Sequence, residues 1–181
     1  MTRGFEPLAA PDAQVLILGT IPSRQSLDAG EYYANPANAF WFIMEHLCGA
    51  TPGLDYAGRV AMLRDARVAL WDVLQAAERR GSLDSAIVAG TEVPNDIGAL
   101  LGRSPLIHTV FLNGGKADAL FRRCVLPELS TYPRTRPRLE RLPSTSPANA
   151  RLTKQAKLEA WSAVVQALAG RRLAERPAPD S

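Results

Sequence analysis

Residues 14–41, QVLILGTIPSRQSLDAGEYYANPANAFW, decide how the chain is read. The segment opens on a short apolar run, Gln14–Leu18, that predicts a buried strand. It closes inside a helix expected over Ala37–Cys48, where Phe40, Ile43, Met44 and Leu47 recur at helical spacing. Between them lie about twenty residues rich in Gly, Pro, Asn, Ser and Tyr, and a connection that long in a compact chain is either functional or disordered. The adjacent Tyr32 and Tyr33, with the Phe40–Trp41 pair at the far end, argue against disorder because flat rings bury against something. The segment therefore reads as a pocket wall at the carboxyl end of a strand, where open α/β sheets hold their ligands.

Outward from this segment, strands and helices alternate. Asp55–Asp65 predicts a second helix and Arg67–Val73 a second strand. Asn95 is expected to cap a helix over Asp96–Leu101, its side chain accepting an otherwise unpaired amide proton. Leu106–Leu112 predicts a third strand ended by Asn113-Gly114-Gly115, followed by a helix over Lys116–Cys124. Arg138–Leu142 would be a fourth strand. The last helix, Leu152–Leu168, carries an apolar face of Leu152, Ala156, Trp161, Val164, Val165 and Leu168. This order implies right-handed crossovers and a three-layer α/β/α sandwich around a central, mainly parallel four-stranded sheet. A single domain is expected over residues 1–169, with a frayed tail over 170–181. Four turns, Gly19–Trp41, Trp71–Asp72, Asn113–Gly115 and Leu142–Asn149, then converge on the carboxyl edge of the sheet, where a site should lie.

A chain of 181 residues with 46% apolar side chains can bury a full core and is not a disordered sequence. No apolar run is long enough to span a bilayer, and the N-terminal residues lack a signal-peptide core, so a soluble, intracellular protein is expected. Cys48 and Cys124 are read as buried thiols. With His46 and His108 they are too few and too scattered for a metal site. The net charge of +3 is unevenly spread: Arg134, Arg136, Arg138, Arg141, Arg151, Lys154 and Lys157 crowd a segment whose sole acid from Ser130 to Lys157 is Glu140. Such a stretch is either a phosphate-backbone footprint or a solvated loop.

The glycine patterns fit no phosphate cradle. Asn113-Gly114-Gly115-Lys116 lacks the first Gly and the Ser/Thr of a P-loop, Gly19 stands without the dinucleotide fingerprint, and no nucleophile elbow is present. The turn LPSTSPANA, Leu142–Ala150, is dense in hydroxyls and backbone donors. It could seat a phosphate at the start of the last helix or act as a capping turn.

Gly19-Thr20-Ile21-Pro22, Tyr32-Tyr33-Ala34-Asn35-Pro36-Ala37-Asn38-Ala39-Phe40-Trp41 and Leu142-Pro143-Ser144-Thr145-Ser146-Pro147-Ala148-Asn149 together resemble the uracil-DNA glycosylase superfamily. Within it the resemblance is greatest to the hypoxanthine-DNA (DNA-deoxyinosine) glycosylase branch, and the NPxNxFW element is also similar to the mismatch-specific uracil-DNA glycosylases. The match spans Val15 to Trp161. Several branches place an Asn or Asp in the first motif between the Gly and the Pro, where this chain has Ile21.

The resemblance implies a monofunctional DNA glycosylase of base excision repair, an intracellular, nucleoid-associated activity. Such an enzyme flips out a deaminated base, hypoxanthine first and uracil as the alternative, and hydrolyses its glycosidic bond to leave an abasic site. It implies that Asn38 supplies the polar group missing at Ile21, against the alternative that Asn38 only caps the Phe40–Leu47 helix. Asp72 would read the base or stabilise the sugar cation. The backbone of Gly19, Thr20, Ile21 and Pro22, with Tyr33, Phe40 as stacking platform and Asn113, would contain the base. Ser23, Leu142, Pro143, Ser144, Thr145, Ser146, Pro147, Ala148, Asn149 and Arg151 would grip the DNA. Such chemistry needs electrostatic preorganisation and a placed water, with no cofactor, metal or iron–sulfur cluster, and a monomer suffices. A catalytically silent nucleic-acid-binding module and a small-ligand binder of flavodoxin-like fold are the competing readings.

Overall fold

A computed structural model describes residues 1–81, 83–129 and 136–174, with side chains described through 170. Arg134 of the basic stretch and residues 175–181 of the expected tail lie outside the described residues. In chain order the elements are β1 (Thr2–Arg3), β2 (Val15–Gly19), α1 (Arg24–Ala29), α2 (Phe40–Leu47), α3 (Tyr56–Asp65), β3 (Val68–Asp72) and β4 (Leu74–Ala77). There follow β5 (Val93–Pro94), α4 (Ile97–Arg103), β6 (Thr109–Asn113), α5 (Gly115–Leu120), α6 (Leu126–Leu129), β7 (Arg138–Leu142), α7 (Lys154–Trp161) and α8 (Ala163–Ala174).

The four expected strands pair in parallel in the order β3-β2-β6-β7. β2 and β3 are buried along their whole length, which is why VLILG and VALWD read as continuous apolar runs rather than alternating ones. Helices cover the sheet, giving the α/β sandwich expected, with Phe40, Phe111, Phe121 and Trp161 among its largest fully buried side chains. The register aligns the strand ends. Gly19 lies opposite Asp72, Leu18 opposite Leu112, and Asn113 opposite Leu142, so one row of residues forms the carboxyl edge. The chain leaves β2 towards β3 on one side and meets β6 on the other, so the ligand crevice expected at this switch point opens above Gly19.

Several local expectations are corrected. The long connection holds a helix, α1, whose first turn is capped by Ser23 Oγ accepting from Ser26 N–H at 3.1 Å. The helix expected from Ala37 starts at Phe40, because Asn38 Oδ1 takes the Phe40 N–H at 3.0 Å and holds the residues before it out of the helix. Asn95 does not cap α4. Asp96 does, accepting from Ala99 N–H at 2.8 Å, while buried Asn95 donates Nδ2–H to the Asp72 carbonyl at 2.9 Å. Two adjacent Asx residues fit a cap equally well in sequence, but only Asn has the amide donor that the end of β3 demands. The last helix is divided at Ser162 into α7 and α8, and the second of these runs to Ala174, past the Leu168 end expected. A small antiparallel sheet, β1-β4-β5, was not foreseen, because its strands are two to four residues long. Cys48 and Cys124 are free and half-buried rather than buried. Among the described residues no helix is long and apolar enough to cross a membrane.

Candidate active site

The carboxyl edge of the sheet opens into a cleft of about 700 Å³. Of the residues expected there, Gly19, Thr20, Ile21, Pro22, Ser23, Tyr33, Asn38, Asp72, Asn113, Ser144, Thr145, Ser146, Pro147, Ala148 and Asn149 line it. Phe40, Leu142, Pro143 and Arg151 do not. Phe40 is fully buried beneath Tyr33, whose ring stacks on it with centroids 4.0 Å apart and planes 18° from parallel. The aromatic face offered to the cleft is therefore that of Tyr33. Leu142 ends β7 inside the core, and Arg151 is an exposed residue outside the cleft wall.

At the floor, three strand ends bring polar groups together over Gly19. A methyl group built on Gly19 would collide with Asp72 Oδ1 and come within 2.8 Å of the Tyr33 hydroxyl, so only glycine permits this convergence. Asp72 is buried, and its Oδ2 has no hydrogen-bond partner among the described residues. Burial, helped by the nearby Asp84 charge and opposed by Arg79, pushes the Asp72 carboxyl up to about 8. At neutral pH it is therefore mostly a neutral acid, able both to donate and to accept.

Asn38 is half-buried and lines the same cleft. Its Oδ1 is anchored by the Phe40 amide, and this donor fixes which end of the carboxamide is oxygen. The second lone pair of Oδ1 and both Nδ2 hydrogens stay available to a water or a substrate. The N-cap of α2 is Ala39, which makes no side-chain bond. Asn38 thus makes a two-residue turn bond to Phe40 N–H rather than the cap expected as its alternative, and that bond orients the amide lining the cleft.

The hydroxyl-rich loop is held from behind. Thr145 is buried and exchanges two hydrogen bonds with Asn113, Thr145 N–H to Oδ1 at 2.9 Å and Nδ2–H to Thr145 Oγ1 at 3.0 Å. Its carbonyl accepts from Ala39 N–H at 3.0 Å. Lys157, the last of the basic residues in the stretch read as a phosphate footprint or a solvated loop, is buried and donates from Nζ to the Ser146 carbonyl at 3.1 Å. Trp161 Nε1–H donates to the Pro143 carbonyl at 2.9 Å. These inward bonds leave Ser144, Ser146, Pro147, Ala148 and Asn149 on the cleft side. Gly114 completes the seat: its φ of +99° suits glycine, and a Cβ there would come within 2.7 Å of Ser144 Cβ.

Residues 6–169 match the model of the uracil DNA glycosylase superfamily. A protein named hypoxanthine DNA glycosylase from Methanosarcina acetivorans is 34% identical over 163 residues, 90% of this chain and 96% of that relative. The chain belongs to the uracil DNA glycosylase superfamily. A second protein of the same name, from Methanosarcina barkeri, is 31% identical over 116 residues, covering 64% of this chain and 72% of the relative. The solution NMR structure of a candidate uracil DNA glycosylase from Methanosarcina acetivorans superposes with a TM-score of 0.75 at 33% identity, covering 93% of this chain and 98% of that one.

For a member of this superfamily the first motif has an unforeseen support. The Gly19 and Thr20 carbonyls accept from Val73 and Leu74 N–H at 2.9 and 3.0 Å. Arg79, its side chain almost wholly buried, donates from Nη2 to the Pro22 carbonyl at 2.6 Å and lies 3.9 Å from Asp84. Asp84 in turn is hydrogen-bonded to the Thr20 side chain. Arg79 and Asp84 therefore set the backbone of the superfamily's first motif, and Asp84 also lines the cleft with Lys116. Sequence reading misses them because Arg79 precedes another Arg, and Asp84 lies in a stretch with no clear period. The one cue is a run of small and turn-forming residues too long for an ordinary connection.

Proposed function

We propose that the chain removes hypoxanthine from deoxyinosine in DNA. The observation that carries this reading is that one cleft is lined both by Asn38, whose carboxamide oxygen is held by the Phe40 amide, and by Asp72, a buried carboxyl with an unpartnered oxygen. The two Methanosarcina relatives named hypoxanthine DNA glycosylase support the same substrate.

The base leaves the stack and enters the cleft, because its glycosidic carbon cannot be reached inside a duplex. Hypoxanthine then presents a lactam edge, N1–H as donor and O6 as acceptor. A neutral Asp72 matches that edge with its carbonyl oxygen and its O–H. As the C1′–N9 bond breaks, its electron pair moves onto the purine, and an acid O–H directed at O6 strengthens its hold as negative charge grows. A carboxylate at the same place would repel that charge. Water adds to C1′ from the Asn38 side, and its proton ends on the departing purine, giving free hypoxanthine and an abasic sugar. Asn38 cannot act as a base at neutral pH, so its part is to orient the water.

The cleft-side residues Ser144, Ser146, Pro147, Ala148 and Asn149 contact the strand beside the flipped nucleotide, and Arg136, Arg138, Arg141 and Arg151 add affinity that is blind to sequence. Uracil carries the same kind of lactam edge, so duplexes bearing a single inosine or a single uracil rank the two substrates. Incubation followed by alkaline cleavage should cut the strand at inosine. An intact inosine duplex, or uracil released much faster than hypoxanthine, overturns the reading. Asn38→Ala separates an enzyme from a silent binding module, since the enzyme loses product while keeping its hold on DNA.

A further inference from the structure

One large apolar side chain on the cleft is left uncovered. Leu83 lines the cleft beside Asp84 and Ser85, and it is 58% exposed. Among the described residues it is the sole large hydrophobic that is both exposed and part of the cleft lining. The excision chemistry gives it no part. On the hydroxyl-rich loop the apolar side chains lining the cleft are Pro147 and Ala148, both compact. A leucine alone on a surface is ordinary, but this one is held in a fixed place.

After β4 the backbone turns back on itself. Val88 N–H donates to the Glu78 carbonyl at 2.8 Å, Arg79 pairs antiparallel with Ile87, and Arg80 N–H donates to the Ala86 carbonyl at 3.4 Å. Leu83 lies at the tip of this hairpin, its carbonyl accepting from Ala86 N–H at 3.0 Å. The next residue, Asp84, is tied to the Thr20 side chain and lies 3.9 Å from Arg79, which itself holds the Pro22 carbonyl. Leu83 is therefore registered against the first motif, on the β2–β3 side of the cleft. Asn113 and Thr145 register the hydroxyl-rich loop on the β6–β7 side. Because β3 and β7 are the outer strands of the sheet, the two elements flank the cleft. Arg80 on the hairpin and Lys116 in the cleft lining are exposed cations, which suits the approach of a phosphate-bearing strand.

We propose that Leu83 is an apolar wedge that enters the base stack at the gap left by the flipped nucleotide and holds the duplex open there. The proposal rests on the glycosylase reading above. Taking a base out of the stack bares the faces of the two neighbouring base pairs, and proteins that open a base step do so by inserting an apolar side chain such as leucine. Leu83 already meets water in the free protein, so burying it between base pairs gains hydrophobic stabilisation without unpacking anything. The compact side chains of Ser144, Ser146, Pro147 and Ala148 are then left to hold the sugar–phosphate backbone. Asp84 joins Leu83 to Thr20, so filling the gap and seating the base belong to one rigid geometry.

The test compares a paired lesion with an unpaired one, using the full chain under single-turnover conditions. One duplex carries inosine opposite cytosine. The other carries inosine as a bulge with no nucleotide across from it, where the neighbouring pairs close on each other once the base has left and no gap remains. Leu83→Ala should lower excision from the paired duplex about tenfold and from the bulge less than about twofold. Leu83→Met, which restores the apolar volume, should return the paired rate to within about threefold of wild type, whereas Leu83→Asn, of similar size but polar, should behave as the alanine variant does. A 2-aminopurine next to the inosine reads the wedge apart from catalysis: its fluorescence should rise on binding to the wild type and rise less with Leu83→Ala. Leu83 is exposed, so the variants should unfold at the wild-type temperature. Equal losses on both duplexes would make Leu83 a cover over the flipped nucleotide, and an unchanged rate on the paired duplex would make it a bystander. Either result overturns the wedge alone and leaves the glycosylase reading standing. A wild type that excises nothing from either duplex defeats the parent reading and the wedge with it.

Discussion

Asn113 and Thr145 grip each other through both ends of the Asn113 carboxamide, which accepts the Thr145 amide proton and donates to its hydroxyl. The pair joins the end of β6 to the hydroxyl-rich loop. The Thr145 carbonyl passes the connection on to Ala39, the residue after Asn38. The turn that carries Asn38 and the hydroxyl-rich loop are thus one hydrogen-bonded unit, and the amide proposed to orient water is registered against the loop proposed to grip DNA by a buried threonine.

Thr145→Val tests that unit. The substitution keeps the shape and removes the hydroxyl, taking from the half-buried Asn113 N–H its acceptor at a cost of about 1 kcal/mol. Denaturant unfolding should show the loss as a lower midpoint with an unchanged slope. Duplex binding should weaken as well, because the loop loses its anchor.

Asn38→Ala removes two things of different size. Its hydrogen bond to the Phe40 amide is worth about 1 kcal/mol, read from thermal unfolding. Orientation of the water is worth far more, and excision of hypoxanthine should fall on the order of a hundredfold or more under single-turnover conditions. Asn38→Asp keeps an acceptor for the Phe40 amide, so it should unfold close to the wild type while its excision rate still falls. A rate within threefold of wild type in Asn38→Ala would remove Asn38 from the mechanism.

Much of this architecture was legible in the sequence because buried parallel strands leave a strong signature, short apolar runs separated by helical periods. Gln14–Leu18 and Arg138–Leu142 were placed within a residue of where they lie. Two kinds of feature were not legible. One is the choice between adjacent residues of like propensity, as with Asn95 and Asp96, where tertiary demand at the Asp72 carbonyl decides. The other is occupancy of space. Sequence brings Tyr33, Phe40 and Asn113 to one site, but only coordinates show Tyr33 lying over the face of Phe40 and holding the amide of Asn113. Lys157 misleads for a similar reason, since a lysine on an amphipathic helix reads as solvated until a carbonyl such as that of Ser146 is found to need it.

Arg141 is exposed at the end of β7, with its guanidinium 4.0 Å from the point where a Cβ on Gly115 would lie at the cleft wall. Its place suits a phosphate beside the flipped nucleotide. Arg141→Ala should weaken binding to lesion-bearing and undamaged duplexes alike, and lower the slope of log K against log salt by about 1. A loss confined to inosine duplexes would place Arg141 at the base instead. Arg138 is a built-in comparison, since it is paired with Glu140 at 3.0 Å and should contribute less.

Asp72 should make both stability and activity depend on pH, with the same sign. Its folded carboxyl titrates near 8 because burial disfavours the charge, whereas in the unfolded chain it titrates near the ordinary carboxylate value of about 4. Between those values the folded protein holds a proton that the unfolded chain has lost, so stability falls as pH rises through this window, by at most about 1.4 kcal/mol per pH unit, and levels off above 8. Excision should also fall above pH 8, because the ionised form can no longer donate to O6 and repels the electron pair arriving on the purine. Asp72→Asn mimics the neutral acid, having one donor and one acceptor in the same shape. It should retain excision within about tenfold of wild type, lose the alkaline limb of the pH profile, and unfold at a higher temperature than wild type at pH 8. A rate that instead climbs through pH 8 in the wild type and vanishes in Asp72→Asn would show that the carboxylate is the working form, stabilising the sugar cation, and the acid–lactam pairing would have to be given up.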